Sequence, residues 1–295
     1  MSEKTLIVVV GPTAVGKTAA AIEIAKRYNT EIISADSRQF YREMTIGTAK
    51  PDAAELAAVP HHFINSHRID EEYSAGDFER DALAKLQELF KIHDVVVMVG
   101  GSGLFVRAVC EGLDNLPKAA DDVRERLNAR FAAEGLEPLQ QQLQAVDPAY
   151  YATADIANPQ RVIRALEVFE ASGKPMSFFQ KKDVDKRPFK QITIGLNRDR
   201  AELYQRINLR VDKMIEAGLV EEVQGLVKHR HKPAMLTVGY VEIFDFLDGK
   251  ITLTEAIDKI KQNSRRYAKR QITWFKKYGN TQWYTAEEVS GLDFN

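Results

Sequence analysis

Residues 11–18 read GPTAVGKT, the spacing of a phosphate-binding loop, and they directly follow the apolar run 6–10. In such a loop the glycines let backbone N–H groups point inward, and the next helix aims the positive end of its dipole at the same point. Lys17 would add a charge for the outer phosphates, and the Thr18 hydroxyl is a candidate ligand for Mg²⁺. The sequence therefore predicts a site for a diphosphate or polyphosphate formed by Gly11, Pro12, Thr13, Ala14, Val15, Gly16, Lys17 and Thr18.

The second element of a typical nucleotide-hydrolysing site is missing. A motor or switch ATPase usually carries an aspartate at the end of its next apolar strand, where it helps to hold the metal. Here the strand 95–99 ends in the glycine-rich residues 100–103, and Asp94 precedes the strand. Ligands of open α/β sheets bind at the carboxyl ends of strands, so Asp94 is expected at the far end. The loop alone could also be a chance match in a turn, but the strand before it and the alanine-rich helix 17–28 supply the required context.

Asp36 is the candidate general base. It follows the predicted strand 31–34, which we place beside the strand of the phosphate loop, so its carboxylate is expected to face the same crevice. The alternative role is a local one, because aspartate and serine often cap the turn that follows them.

Length and composition limit the remaining possibilities. The chain has 295 residues, enough for one large domain or two modest ones, and its formal net charge of −1 gives no overall preference for nucleic acid. A single cysteine, Cys110, excludes a disulfide framework within the chain and suits a reducing compartment. No leader-like or membrane-spanning apolar run is evident, so we expect a cytoplasmic monomer that does not enter a membrane.

Strands and helices alternate along much of the chain. We predict strands at 5–10, 31–34, 95–99 and 191–196, and helices at 17–28, 77–92 and 103–110. This order is typical of an α/β fold, a P-loop NTPase-like parallel sheet with helices on both faces. Residues 121–145 and 158–172 instead read as charged amphipathic helices. We therefore predict a core formed by 1–114 and 190–295 and a mainly helical insertion at 115–189.

Basic residues are concentrated near the carboxyl terminus. Seven lysines and arginines and no acidic residue lie between 261 and 277, interleaved with aromatic residues. Such a stripe supplies the electrostatic part of nucleic-acid binding, although a solvated helix face has the same composition.

Taken together, these segments resemble the tRNA dimethylallyltransferase family, also called isopentenyl-tRNA transferases. The order and spacing of the matching stretches carry the resemblance: GPTAVGKT at 11–18, SADSRQFYREMTIGTAKP at 34–51, YSAGDFERDA at 73–82, GGSGLFVRA at 100–108, NPQRVIRALEV at 158–168, LYQRINLRVDKM at 203–214, VGY at 238–240 and AKRQITW at 268–274. The resemblance implies transfer of a dimethylallyl group from dimethylallyl diphosphate to the exocyclic amine of the adenosine 3′ to a tRNA anticodon. A bacterial-type member is expected, because no cysteine- or histidine-rich tail follows Trp283 and Tyr284.

The resemblance also assigns roles in the reaction. It makes Asp36 the base, Thr13 a loop residue oriented toward the prenyl donor, and Arg210 a contact of the diphosphate, with Mg²⁺ at Thr18. Arg206, one helical turn before Arg210, is the alternative for the same contact. Taken alone, Arg210 could equally form a salt bridge on a helix surface.

The resemblance further implies contacts with the anticodon stem-loop of tRNA. These fall on Asp36, Ser37, Arg38, Gln39, Ser102, Arg124, Gln160, Arg161, Val162, Ile163 and Arg164. Ser102 stands where some members carry threonine, a change that keeps the hydroxyl. The alternative for Arg161 and Arg164 is an ion pair with Glu167 or Asp155. His61 and His62 lack the spacing of a metal site and read as structural residues or as part of the cleft wall.

Three hypotheses remain open at this level. The first is the tRNA prenyltransferase. The second is an ATP-dependent phosphotransferase acting on a small molecule, for which the phosphate loop and Asp36 would serve equally well. The third is a non-catalytic RNA-binding protein. The basic stretch 261–277 and the insertion favour the first and third, and Lys17, Thr18 and Asp36 favour the first over the third.

Overall fold

A computed structural model describes residues 3–180, 185–292 and 294. The elements of its first half are β1 (Thr5–Val10), α1 (Lys17–Arg27), β2 (Ile32–Ser34), α2 (Ala53–Ala58), β3 (His61–His62), α3 (Ala75–Leu89), β4 (Val95–Val99), α4 (Gly103–Glu111), α5 (Asp121–Glu134) and α6 (Glu137–Val146). Those of its second half are α7 (Pro148–Thr153), α8 (Pro159–Ser172), α9 (Met176–Phe179), β5 (Lys190–Leu196), α10 (Arg200–Glu216), α11 (Leu219–Gly225), two 3₁₀ turns (Val227–His229 and Pro233–Met235), α12 (Tyr240–Leu247), α13 (Leu253–Lys277), β6 (Gln282–Tyr284) and α14 (Ala286–Val289).

The strands form one sheet in the order β3-β2-β4-β1-β5-β6, and every pair in it is parallel. This confirms the predicted fold class. One detail of the prediction is wrong, because β2 pairs with β4 and not with β1. In the sheet β4 lies between the strand of the phosphate loop and the strand that leads to Asp36. A parallel connection crosses over the sheet, so neighbours in the chain need not be neighbours in the sheet.

The central strand β1 is buried on both faces, as its continuous apolar run requires. Ile7 and Val9 pack in one cluster with buried residues of α1 and α10. Leu6, Val8 and Val10 pack on the other face with buried residues of α3 and α4. Each fully buried aliphatic side chain contributes about 1.5–3 kcal/mol. The carboxyl end of β1, where the phosphate loop begins, therefore has a rigid support.

The chain forms two compact units, Met1–Gly112 with Lys186–Asn295 and Leu113–Asp185. We call the first, which contains the whole sheet, the sheet unit and the second the insertion. The insertion is helical and has its own apolar core, which includes Leu127, Leu139, Leu143, Val162, Ile163 and Leu166. Its predicted helix 121–145 is in fact two helices, α5 and α6. The break follows from Gly135, whose φ of 81° ends α5, and from a proline in the first turn of α6.

No helix in the described part of the chain is both long enough and apolar enough to cross a membrane.

Candidate active site

The phosphate loop connects the end of β1 to the start of α1. Gly11 and Gly16 have φ values of 143° and 108°, which L side chains rarely adopt. A Cβ at Gly11 would also lie 2.7 Å from the carbonyl oxygen of Leu196 on β5. Gly16 caps α1, whose first residue is Lys17. Residues 11–18 thus connect a strand to the start of a helix through a glycine-containing turn, as predicted, and the positive end of the α1 dipole faces the loop.

Side chains from distant parts of the sheet unit donate to two carbonyl groups of this loop. Arg206 Nε donates to Ala14 O at 2.9 Å, and Arg198 Nε donates to Val15 O at 3.0 Å. Arg206 therefore supports the loop backbone, although its side chain also lines the cavity beside the loop.

Asp36 begins a turn that leads away from β2. Its Oδ1 accepts a hydrogen bond from Arg38 N at 3.0 Å, so the capping role considered from sequence is present. The Asp36 carboxylate also lines two adjoining cavities, so the role of a general base stays open beside the capping role. Ser102 fixes Ser37, the residue after Asp36, because Ser102 Oγ accepts from Ser37 N at 2.9 Å and donates to Ser37 Oγ at 3.1 Å.

The two cavities differ in size and lining. The larger, which we call the loop cavity, has a volume of about 500 Å³ and is lined by polar and charged residues that include Lys17, Thr18, Glu55 and Arg206. The smaller, which we call the inner cavity, has a volume of about 130 Å³. Apolar residues supply much of its lining: Ile207, Val211, Met214, Val238 and Ile260. Both cavities share Thr13, Asp36, Thr48, Arg210 and Tyr267, so a ligand could occupy both at once.

The cations of the loop cavity are poorly solvated. Burial, aided by the charge of Arg210 and opposed by Asp36, lowers the pKa of Lys17 from 10.5 to about 8. Burial also lowers the pKa of Arg210, against the opposing charges of Asp36 and Glu55. The two side chains donate to uncharged oxygen atoms: Lys17 to Pro12 O at 2.8 Å, and Arg210 to Thr13 Oγ1 and Ala49 O at 3.4 Å each. An anion in this cavity would replace those weak partners with a charge.

The residues around the loop could hold a magnesium ion. Thr18, Asp36 and Glu55 supply hydroxyl and carboxylate oxygens to the lining of the same cavity, and Mg²⁺ prefers oxygen ligands. Among the described residues, no group of three or more histidine, cysteine, aspartate or glutamate side chains could hold a metal by itself. Magnesium usually has one or two protein ligands, with water and phosphate oxygens completing its shell.

Within the insertion, the structure separates the residues that were predicted to contact RNA. Val162 and Ile163 are fully buried in its core, so their side chains support α8, which corrects the expectation of a contact through them. Gln160 and Arg161 are exposed. Arg124 and Arg164 both pair with Glu167, at 2.6 and 3.2 Å, and this carboxylate is only 2% exposed. The alternative ion pair considered for Arg164 is therefore present.

Three other residues considered from the sequence do not line either cavity: Asp94, His62 and Cys110. Asp94 pairs with Lys4 at 2.7 Å, at the amino ends of β4 and β1, as the strand order predicts. His62 Nε2 lies 2.6 Å from Glu31 Oε2 within the sheet unit, and Cys110 is buried. Burial raises the pKa of the Cys110 thiol to about 12, so this cysteine is a packing residue.

Sequence reasoning missed Gln271 on α13. Its side chain is 5% exposed, and its Oε1 accepts from Thr13 N at 2.8 Å while its Nε2 donates to Gly101 O at 2.9 Å. It therefore ties the phosphate loop to the glycine-rich turn that carries Ser102. Gln271 stands within the matching stretch AKRQITW, a signal that pointed to its importance without giving its role.

Comparisons with known proteins agree on one family. The family model described as IPP transferase matches residues 39–278. The tRNA dimethylallyltransferase of Christiangramia forsetii is 53% identical over 285 residues, which cover 97% of this chain and 94% of that protein. The protein of the same name from Cytophaga hutchinsonii is 50% identical over 289 residues, covering 98% and 95%.

Solved structures give the same result. The full-length tRNA isopentenylpyrophosphate transferase of Bacillus halodurans superimposes with a TM-score of 0.71 and 40% identity, covering 99% of this chain and 92% of that chain. A eukaryotic dimethylallyltransferase acting on tRNA superimposes with a TM-score of 0.80 and 25% identity, covering 99% and 76%.

Proposed function

Because this chain belongs to the IPP transferase family, we propose that it transfers the dimethylallyl group of dimethylallyl diphosphate to a tRNA. The acceptor is the exocyclic N6 amine of the adenosine immediately 3′ of the anticodon, and diphosphate is released. The observation that carries this proposal is the pair of adjoining cavities that share Thr13, Asp36 and Arg210. A prenyl diphosphate has an apolar chain, which matches the inner cavity, and an anionic diphosphate group, which matches the loop cavity.

The donor spans the two cavities. Its diphosphate group lies in the loop cavity, where the N–H groups of the phosphate loop, Lys17 and Arg210 neutralise its charge. Its dimethylallyl group lies in the inner cavity against Val211, Met214 and Ile260. The reacting carbon then lies near the residues common to both cavities, which include Asp36. A Mg²⁺ ion held by Thr18 and the diphosphate would supply further charge neutralisation for the leaving group.

The reaction breaks one bond and forms another. The bond between the first carbon of the prenyl chain and the diphosphate oxygen breaks, and its electron pair leaves with the diphosphate. Lys17, Arg210 and the loop N–H groups stabilise the negative charge that develops there. The N6 nitrogen forms the new bond to the same carbon, and the Asp36 carboxylate accepts the proton that N6 loses. The adenine amine is a poor nucleophile, because its lone pair is delocalised into the ring, so removal of this proton assists the attack.

The adenosine must leave its stack in the anticodon loop to reach these atoms. Tyr267 lines both cavities, so a flipped base can stack against it where the cavities meet, beside the space that the prenyl group fills, with Arg38 close by. Ser37 and Gln39 lie in the turn after Asp36, Ser102 is hydrogen-bonded to Ser37, and the basic residues of α13 can bind the phosphate backbone. We assign Gln160, Arg161 and the exposed parts of Arg124 and Arg164 to the same RNA, on the basis of the family resemblance.

A transfer assay tests the proposal. Purified protein is incubated with magnesium, radiolabelled dimethylallyl diphosphate and unmodified tRNA, and the RNA is then digested to nucleosides. We expect label on adenosine, and none when labelled ATP replaces the prenyl donor. Turnover of ATP with a small acceptor, together with unlabelled tRNA, would contradict the proposal and favour a phosphotransferase. Binding of tRNA without any transfer would favour an RNA-binding protein.

A further inference from the structure

One wall of the inner cavity is the segment 45–49, which contributes Gly47 and Thr48 to its lining. Three successive N–H groups of this segment donate to the carboxylate of a single residue, Glu222 on α11. The distances are 2.9 and 2.7 Å to Oε2 and 3.0 Å to Oε1, from Thr45, Ile46 and Gly47. Charge-assisted hydrogen bonds of this kind are stronger than neutral ones, so the backbone of the segment is fixed from this side.

Tyr240 completes the support. Its hydroxyl donates to Glu222 Oε1 at 2.6 Å, and its side chain is fully buried. A Cβ at Gly47 would lie 2.5 Å from Cε2 of the Tyr240 ring, so only glycine allows this approach. Tyr240 and Glu222 do not line the inner cavity. The segment 45–49 therefore separates the cavity from these two residues.

The opposite side of the segment reaches the active site. Gln39 Nε2 donates to Thr48 O and to Ala49 O at 3.2 Å each, and Arg210 Nη2 donates to Ala49 O at 3.4 Å. Glu222 thus holds the N–H groups of the segment 45–49, and carbonyl groups of the same segment accept hydrogen bonds from Gln39 and Arg210.

The size of the inner cavity gives this wall a chemical consequence. A cavity of about 150 Å³ in a protein core accepts benzene, a six-carbon ligand. The inner cavity, at about 130 Å³, therefore suits the five carbons of a dimethylallyl group. With the diphosphate in the loop cavity, a ten-carbon prenyl chain would need about twice the space of the inner cavity, so a wall of that cavity would have to move.

We propose that Glu222 and Tyr240 restrict the donor to a five-carbon prenyl chain by holding the segment 45–49 as a fixed wall of the inner cavity. This inference rests on the proposed function. Both are positioning residues, since they act through the segment and not on the reacting atoms.

The variant Glu222→Gln tests this role. Glutamine has the same size, but its NH₂ group faces backbone N–H groups and cannot accept from them. Loss of these charge-assisted hydrogen bonds should shift the equilibrium between the fixed and the displaced positions of the segment 45–49 by about tenfold to a hundredfold. We expect kcat/KM for geranyl diphosphate, relative to that for dimethylallyl diphosphate, to rise at least about tenfold. Because both donors are assayed with the same tRNA, any effect on RNA binding cancels in this ratio.

Three further variants sharpen the test. Tyr240→Phe removes one hydrogen bond and keeps the ring, so it should raise the same ratio by a smaller factor. Gly47→Ala should push the segment away from Tyr240 and into the cavity, which lowers kcat/KM for dimethylallyl diphosphate without admitting geranyl diphosphate. Glu221→Gln is the matched control, because Glu221 is the exposed neighbour on the same helix, and it should leave the ratio unchanged.

The outcomes separate this inference from the proposed function. A Glu222→Gln protein that transfers dimethylallyl groups with the wild-type ratio overturns the inference, even if its melting temperature falls, and leaves the proposed function intact. Wild-type protein that transfers neither prenyl group overturns both. If Glu222→Gln does not fold, an unchanged ratio for Tyr240→Phe is the result that overturns the inference.

Discussion

The loop cavity and the insertion both contain groups of cationic side chains, but they use them differently. In the insertion, Arg124 and Arg164 converge on the buried carboxylate of Glu167. In the loop cavity, Lys17 and Arg210 donate to uncharged oxygens, and each has a lowered pKa because of burial.

The difference shows which part of the molecule gives up stability for function. A buried carboxylate with two arginine partners holds helices together, and the loss of one partner leaves an uncompensated charge. A desolvated lysine destabilises the folded chain until an anion arrives. The loop cavity therefore resembles a site organised for a ligand, whereas the charges around Glu167 are organised for the fold. Substitution of Lys17 in the loop cavity should therefore lower donor affinity and raise stability. Substitution of Glu167 in the insertion should lower stability and leave donor affinity unchanged.

The largest effect is expected at Asp36, the proposed general base. Asp36→Asn should lower kcat by about 10²–10⁴, the usual contribution of a general base, with a much smaller loss of tRNA affinity. Single-turnover rates and filter binding of tRNA measure the two quantities. Loss of affinity in proportion to rate would show that Asp36 mainly holds the acceptor base or its own turn, through the hydrogen bond to Arg38 N.

The variant Lys17→Met tests how much the buried charge of Lys17 destabilises the folded protein. Donor affinity should fall about tenfold to a hundredfold, because a charge-assisted contact to the diphosphate is lost. The same variant should be more stable than wild type at pH 7, by about 1–3 kcal/mol. The pKa of Lys17 is lowered in the folded protein, so the cost of its charge is fully present below pH 8 and disappears as the pH rises toward 10.5. Urea unfolding at pH 7 measures the stability, and a less stable Lys17→Met protein would contradict this account.

Glu167→Gln should show the reverse pattern. The insertion should lose about 1–3 kcal/mol of stability, because two arginine side chains lose their charged partner. Both arginines are partly exposed, at 54% and 35%, which keeps the loss below that of a fully buried pair. The affinity for dimethylallyl diphosphate should not change. A donor affinity that falls together with stability would remove the distinction between the two regions.

Local features of the sequence were enough to predict the phosphate loop, the strands around it and the position of Asp36. GPTAVGKT combines its glycines, lysine and threonine within eight residues, so no long-range information is needed. The break between α5 and α6 also had a local signal in Gly135 and Pro138, which the amphipathic pattern across 121–145 obscured.

The supports of the site could not be predicted, because they come from distant parts of the chain. Gln271 contacts Thr13 across 258 positions, and Glu222 contacts Ile46 across 176. Neither residue type indicates a backbone partner in advance. The place of β2 beside β4 depends on crossover connections, which local patterns do not encode. The positions of Val162 and Ile163 in the stretch 158–168, which resembles the family, concealed their ordinary role in the core of the insertion.

The most direct test of the central claim is the number of protons that the protein takes up when it binds the donor. Calorimetric titration with dimethylallyl diphosphate at pH 8, in buffers of different ionisation enthalpy, measures this number. Lys17 has a pKa of about 8, so roughly half of the molecules carry an uncharged lysine before binding, and the diphosphate should return the proton. Wild-type protein should therefore take up about half a proton more than Lys17→Met. Equal proton uptake by the two proteins would contradict the claim that Lys17 is a desolvated cation kept for the diphosphate.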